Sequence, residues 1–293
     1  IVGEKFFTGI FFNNGTDLFM DYFNSIRDVF QGIGVYTERH VIYPPMANLI
    51  FLLCLRFVPD EYAATSFNDR YLWVNYPSAI LSCLLFILIF AVLFLLLCQR
   101  HMRFNGKTKL LFSFFLLANV PMLYLLERGN IILISTLFTG IYIFTYDSKN
   151  KILREIGLIS LAIATSIKIY PVVFGLMLLF DKRWAEAKRC IIYGVLIFFV
   201  PFLCFGGFSE FTVLLSNLTN ASNFLGSIGH GYRLNFSNTV YGVFDVLQRR
   251  GPRIDKLLQY ALYAFYVFYL PCIFLARERW KKIFLLTAVL VGI

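Results

Sequence analysis

Charge is scarce in this sequence. Only 15% of its 293 residues are Asp, Glu, Lys or Arg, whereas 59% are hydrophobic and 18% are aromatic. A typical soluble domain has about 25% charged and about 45–50% apolar residues. The scarcity of charge therefore excludes an ordinary soluble domain, and it predicts an integral membrane protein whose residues 1–293 form a single lipid-embedded unit.

Several signatures of soluble enzymes and metal sites are missing as well. The chain has no Walker motif, no GxGxxG opening a helix, no GxSxG and no HExxH. Its six cysteines lie in or at the ends of apolar runs, without CxxC or Cys/His spacing. We therefore expect no metal site, no cofactor and no disulfide framework, and we interpret the cysteines as small buried hydrophobic residues.

The positive charge that is present is concentrated in short segments. The formal net charge is +10, yet more than half of the 27 Lys and Arg residues fall in four loops between apolar runs. Cytoplasmic loops of membrane proteins carry such an excess, so we expect all four loops to be cytoplasmic and we expect no nucleic-acid partner. The four loops are 100–109, 149–154, 182–189 and 277–282.

The apolar runs predict an all-α, polytopic transmembrane bundle. Complete spans are expected at 78–98, 110–126, 131–146, 190–207 and 257–276. The run 46–58 is too short to cross about 30 Å of hydrocarbon, which favours an interfacial or re-entrant segment. In 156–180, a Lys-x-Tyr-Pro break at 168–171 predicts a bend. The last run, 283–293, is cut off, so we interpret the chain as an excerpt that lacks an earlier span and later ones.

The stretch 17–45 is the one long polar segment near the start of the chain. On a helix it would place an acidic stripe opposite an apolar one. The acidic stripe is Asp17, Asp21, Asn24 and Asp28, and the apolar one is Phe19, Phe23, Ile26 and Phe30. This pattern predicts an amphipathic juxtamembrane helix in the first outer loop, lying flat at the membrane surface with its carboxylates at the boundary with water.

Two pairs of charged residues are the first candidates for chemistry. A carboxylate such as Asp17 or Asp21 can accept a proton from an attacking hydroxyl, although a solvated helix face is the ordinary role of such residues. Arg128 and Lys168 lie within apolar segments, where cations suit an anionic lipid head group such as a phosphate. The alternatives are snorkelling of either side chain to an interface, and pairing of Arg128 with Glu127.

The segment 208–255 is predicted to be a long polar loop outside the membrane. It contains His230 and Arg233 among several glycines. Such a loop suits gating or contact with a substrate. The alternative is that His230 is an ordinary loop histidine.

Four short motifs, in their order along the chain, resemble glycosyltransferase family 87. They are Asp-Leu-x-x-x-Tyr at 17–22, Tyr-Pro-Pro at 43–45, Arg-Gly-Asn at 128–130 and Ile-Lys-Ile-Tyr-Pro at 167–171. The resemblance covers about residues 15–207. It implies the GT-C class of polytopic membrane glycosyltransferases, among them mannosyltransferases that use polyprenyl phosphomannose.

The resemblance also implies a mechanism. A sugar, mannose or another hexose, would pass from a polyprenyl-phosphate donor in the membrane to an extracytoplasmic lipid or glycan acceptor, with inversion. The bacterial plasma membrane would be the location. Asp17 matches the catalytic base of the family, and Asp21 stands where the family often has tyrosine, so the choice between the two carboxylates stays open.

The remaining motif residues are assigned by the same resemblance. Lys168 and Arg128 match residues that would hold the donor phosphate. Tyr43, Asn130 and Tyr170 belong to the same motifs and are expected to contact the substrate.

Two rival functions share the pattern of broken helices and intramembrane charge. One is a polysaccharide polymerase or ligase that uses a lipid-linked oligosaccharide. The other is a flippase or transporter of lipid-linked sugars. A non-catalytic scaffold would leave Lys168 unexplained.

Overall fold

The computed structural model describes residues 18–30, 32–58, 73, 76–102, 104–227 and 252–292. Four fifths of these residues are helical, and none of them forms a strand. The prediction of an all-α protein is therefore confirmed for the described part of the chain. The chain divides into two compact units, one comprising 1–171 with 188–214 and the other 172–187 with 215–293.

Twelve α-helices follow one another in the described residues, with three short 3₁₀ segments between them. The α-helices are α1 Met20–Val29, α2 Pro45–Cys54, α3 Pro77–His101, α4 Gly106–Leu117, α5 Val120–Arg128, α6 Ile132–Thr145, α7 Lys151–Ile167, α8 Leu176–Phe180, α9 Trp184–Phe199, α10 Glu210–Ser227, α11 Pro252–Leu275 and α12 Arg279–Gly292. The 3₁₀ segments are Leu55–Phe57, Tyr170–Gly175 and Val200–Cys204.

Two of the described helices are long and apolar enough to cross a membrane. They are Pro77–His101, with a mean hydropathy of 3.3, and Trp184–Cys204, with a mean hydropathy of 1.8. The predicted spans 78–98 and 190–207 correspond to them. Because α3 exposes large side chains such as Leu81, Leu88 and Leu96, its surface suits contact with lipid.

The predicted span 110–126 is a pair of helices rather than one straight helix. α4 and α5 are bent by 62° relative to each other, and the pair counts as a third candidate span if it is taken together. Asn119 begins α5, and its side chain accepts a hydrogen bond from the backbone N–H of Met122. Pro121 lies in the first turn of α5, where a proline is favoured, whereas it is disfavoured in a helix interior.

Of three other predicted segments, two differ from the structure and one agrees with it. The predicted span 131–146 corresponds to α6, which has 14 residues and is shorter than the roughly 20 needed to cross the hydrocarbon layer. The run 156–180 is broken where predicted, because α7 ends at Ile167. The polar loop predicted at 208–255 is wrong for 210–227, which form α10; the part 228–251 lies outside the described residues.

The first helix packs its apolar stripe into the protein core. Seven of the ten residues of α1 are buried, including those of the apolar stripe that lie within the helix. Within the core, the Tyr22 ring lies 6.0 Å from Phe51 and 5.4 Å from Phe86. The acidic-stripe residues of the helix are only partly buried, namely Asp21, Asn24 and Asp28. The prediction of a helix is confirmed, and its position flat at a membrane surface stays a prediction.

A glycine allows α1 to approach the junction between α5 and α6. Gly129 ends α5 with a positive φ of 62°, a conformation that side chains disfavour. A Cβ at this position would lie 2.8 Å from the Cβ of Tyr22 and 3.2 Å from the Cys83 sulfur. Both the backbone conformation and the close packing therefore require glycine here.

We expect Gly129→Ala to lower the stability of the protein. The left-handed backbone alone costs about 1–2 kcal/mol with a Cβ present, and the contact with Tyr22 adds to this. The measurement is the apparent melting temperature of the purified full chain in detergent. Gly194→Ala is the matched control, since a Cβ there meets nothing within 4 Å and alanine favours the interior of α9. Equal melting temperatures for the two variants would contradict this account of Gly129.

Candidate active site

A carboxylate on α1 is paired with an arginine 107 residues later in the chain. Arg128 Nη2 donates to Asp21 Oδ1 at 2.6 Å, and Arg128 Nε donates to Asp21 Oδ2 at 2.9 Å. The Asp21 and Arg128 side chains are only 16% and 20% exposed. A bidentate pair of this kind fixes the plane and the direction of both groups, so Arg128 is held in one orientation.

Asn130 adds a third hydrogen bond to the same carboxylate. Its Nδ2 donates to Asp21 Oδ2 at 2.6 Å, while its Oδ1 accepts from the backbone N–H of Ile132 at 2.9 Å. The second bond satisfies one of the unpaired N–H groups in the first turn of α6. It also determines which end of the Asn130 amide faces Asp21, so the amide can only be a donor to the carboxylate.

The backbone brings these three side chains together. The N–H of Phe19 donates to the carbonyl of Glu127 at 2.9 Å, which joins the start of α1 to the last turn of α5. Gly129 then turns the chain so that Asn130 follows on the same side. The Arg-Gly-Asn motif thus supplies the cation, the close approach and the amide in three consecutive residues.

Lys168 lies at the break after α7, in none of the helices long enough to span a membrane. The Lys168 backbone is extended, and Pro171, which has no N–H and disfavours a helical residue before it, follows closely. The ammonium of Lys168 lies 4.1 Å from the centre of the Tyr43 ring. This contact is a cation–π interaction.

The ammonium of Lys168 lacks a hydrogen-bond acceptor among the described residues. Within the described residues it makes no hydrogen bond and no ion pair. Burial lowers the pKa of Lys168 to about 8, and the negative charge of Asp21 opposes this shift. A half-buried ammonium without an acceptor is suited to an anionic ligand.

Tyr43 is itself held by two buried residues that the sequence analysis did not identify. Tyr36 Oη donates to the Tyr43 carbonyl at 3.1 Å, and Asn48 Nδ2 donates to Tyr36 Oη at 3.0 Å. Burial raises the pKa values of both Tyr36 and Tyr43, so both phenols stay protonated at neutral pH. One signal for Asn48 was available, because it is the only polar residue in the apolar run 46–53.

The structure therefore brings six of the predicted site residues into one region. They are Asp21, Tyr43, Arg128, Asn130, Lys168 and Tyr170. Asp17, His230 and Arg233 lie outside the described residues. Asp21 is the bidentate partner of Arg128, so the orientation of Arg128 does not depend on the alternative pairing with Glu127. No group of three or more His, Cys, Asp or Glu residues suited to a metal ion occurs among the described residues.

Comparison with known proteins gives one match. No curated protein and no solved structure matches the chain. The family model of glycosyltransferase family 87 matches residues 42–293, which includes Tyr43, Arg128, Asn130 and Lys168 and extends beyond residue 207, while α1 lies outside the matched range. Because the match covers most of the chain, and because apolar helices accompany it, the chain belongs to glycosyltransferase family 87 and is a membrane glycosyltransferase.

Proposed function

We propose that this glycosyltransferase moves a sugar, mannose or another hexose, from a polyprenyl-phosphate donor to a lipid or glycan acceptor. The reaction inverts the anomeric centre and takes place on the extracytoplasmic side of a bacterial plasma membrane, within a multi-pass GT-C bundle. The observation that carries the proposal is Lys168. Its half-buried ammonium has no hydrogen-bond acceptor among the described residues and lies in the region of Asp21 and Arg128. A phosphate would supply the missing acceptor.

The cations of the region support a phosphate-containing donor. Arg128 and Lys168 supply two positive charges near the negative charge of Asp21. A sugar linked to a lipid through phosphate is an anion that such cations attract. A polymerase or ligase with a lipid-linked oligosaccharide would use the same contacts, so the length of the donor chain separates it from the monosaccharide transferase that we propose.

The hydrogen bonds of Asp21 support different roles for the two carboxylates. Asp21 Oδ2 accepts two hydrogen bonds and Oδ1 accepts one, all from Arg128 and Asn130. These bonds occupy most of the lone pairs that a base would use. In our proposal Asp21 therefore orients Arg128 towards the phosphate, and Asp17 is the general base.

The reaction then follows in one displacement. Asp17 takes the proton of the acceptor hydroxyl, and the hydroxyl oxygen attacks the anomeric carbon through an oxocarbenium-like transition state. The bond between that carbon and the phosphate oxygen breaks as the new glycosidic bond forms. Lys168 and Arg128 stabilise the departing lipid phosphate, and Tyr43 and Tyr170 border it. His230 and Arg233 are assigned to contacts with the substrate.

Single substitutions distinguish the proposed roles of Asp17 and Asp21. In membranes carrying the full-length protein, with radiolabelled polyprenyl-phosphate sugars as donors, we expect Asp17→Asn to lower transfer by roughly 10²–10⁴-fold. Donor binding and protein abundance should stay unchanged. Asp21→Asn should instead raise the donor KM, because a neutral amide loses the charged bidentate contact that orients Arg128.

Asp147→Asn is the control for loss of an exposed carboxylate, and it should transfer like the wild type. Normal transfer by Asp17→Asn together with lost transfer by Asp21→Asn would make Asp21 the base. If the wild type transfers from no monosaccharide donor, the proposal is wrong and the polymerase or flippase replaces it.

The pH dependence tests Lys168. The ammonium is charged below its pKa of about 8 and loses its charge as the pH rises through that value, so kcat/KM for the donor should fall above about pH 8. Lys168→Arg should remove this alkaline fall, since a guanidinium stays protonated. Lys168→Met should raise the donor KM below about pH 8, where the wild type carries the charge, and it should also lack the alkaline fall. An alkaline fall that persists in Lys168→Arg would assign it to another group.

A further inference from the structure

We propose that Tyr36 and Asn48 are positioning residues that hold the Tyr43 ring beneath the ammonium of Lys168. The inference rests on the proposed role of Lys168 as a phosphate contact. It assigns a function to two residues that belong to none of the family-like motifs. Neither residue needs to touch the substrate, since both act on the backbone of Tyr43.

The need for such residues follows from the start of α2. The carbonyl of Pro44 accepts the backbone N–H groups of Ala47 at 3.0 Å and Asn48 at 3.4 Å, which completes the first turn. The carbonyl of Tyr43 is one residue too early to join this turn. Tyr43 is half-buried, and a backbone carbonyl that loses water on folding is stabilised when it finds another donor.

Two side chains supply that donor. Tyr36 Oη donates to the Tyr43 carbonyl at 3.1 Å, and Asn48 Nδ2 reaches the same oxygen at 3.5 Å. Asn48 Nδ2 also donates to Tyr36 Oη at 3.0 Å, so the phenol is oriented with its own hydrogen directed at the carbonyl. Tyr36 is fully buried and Asn48 is 1% exposed, so both donors are held within the core.

The rest of Tyr36 is fixed by packing. Its ring lies 5.6 Å from the ring of Phe202, at a tilt of 42°. The phenol oxygen is therefore placed by the core rather than by Tyr43. The core thus positions Tyr36, Tyr36 positions the backbone of Tyr43, and the Tyr43 ring positions the ammonium of Lys168.

The consequence for Lys168 is specific. The Lys168 ammonium lies 4.1 Å from the centre of the Tyr43 ring, and among the described residues this contact fixes its position. A shift of the Tyr43 backbone moves the ring and leaves the flexible lysine side chain without a defined position. Binding of a phosphate at Lys168 would then weaken, although the charge is still present.

The experiment measures the binding of farnesyl phosphate, a short polyprenyl monophosphate, to the purified full chain in detergent. Tyr36→Phe keeps the ring that packs on Phe202 and removes only the hydroxyl. We expect it to raise the Kd about five- to tenfold, which lies between the ranges of an exposed and a fully desolvated cation–π contact. Tyr43→Leu, which removes the ring itself, should raise the Kd by a similar factor.

The double variant decides whether Tyr36 acts through Tyr43. Tyr36→Phe combined with Tyr43→Leu should bind no more weakly than Tyr43→Leu alone, because both changes remove the same contact. Tyr193→Phe is the matched control. It loses a 3.0 Å hydrogen bond to Glu155 near the other end of α7, and it should leave the Kd unchanged.

The outcomes separate this inference from the proposed reaction. Wild-type binding by Tyr36→Phe, or additive losses in the double variant, would overturn the positioning role. A wild-type protein that binds farnesyl phosphate, with the expected variant pattern, but transfers no sugar would contradict the proposed function and support the positioning role. Absence of binding by the wild type would overturn both.

Discussion

The ion pair between Asp21 and Arg128 is the interaction on which the candidate site depends. It joins the first described helix to the end of α5 across 107 residues of chain. Apolar packing between these helices has no direction of its own, whereas a bidentate contact between a carboxylate and a guanidinium has one geometry. The pair therefore fixes which turn of α1 contacts the Arg-Gly-Asn segment. The glycine in that segment lets the two backbones approach closely enough for the contact. Both side chains are mostly buried, so loss of either one would leave the other without its bidentate partner.

Much of the local structure could be predicted from residue patterns alone. The break after Ile167 follows from Pro171, and the long helix α3 follows from an uninterrupted apolar run. The periodicity of α1 gave its buried apolar face but not the residues that this face packs against, because spacing along a helix says nothing about its neighbours. α10 was missed because its Ser, Thr and Asn residues are typical of turns. Its apolar residues at 211, 214, 215 and 218 nevertheless have helical spacing.

Within the candidate site, the motifs identified the residues but not their pairing. Arg128 and Lys168 look equivalent in sequence, since both are cations in apolar surroundings. In the structure Arg128 has a carboxylate partner, and the described contact of Lys168 is an aromatic ring. This difference depends on which residues from distant parts of the chain fold against each cation. Tyr36 and Asn48 were not found for the same reason, because their hydrogen bonds to the Tyr43 carbonyl form only in the folded chain.

Asn130 shows how a double task limits the choice of amino acid at one position. Its side-chain oxygen accepts from the first turn of α6, and its side-chain nitrogen donates to Asp21. Aspartate would accept from the helix equally well, but it would place a second negative charge against Asp21. Serine and threonine also accept at helix starts, yet a hydroxyl on the β-carbon is too short to serve both partners at once. Among the residues that commonly begin helices, asparagine alone is an acceptor at one end and a neutral donor at the other. The same amide group thus stabilises the start of α6 and helps to hold the Asp21 carboxylate in the site.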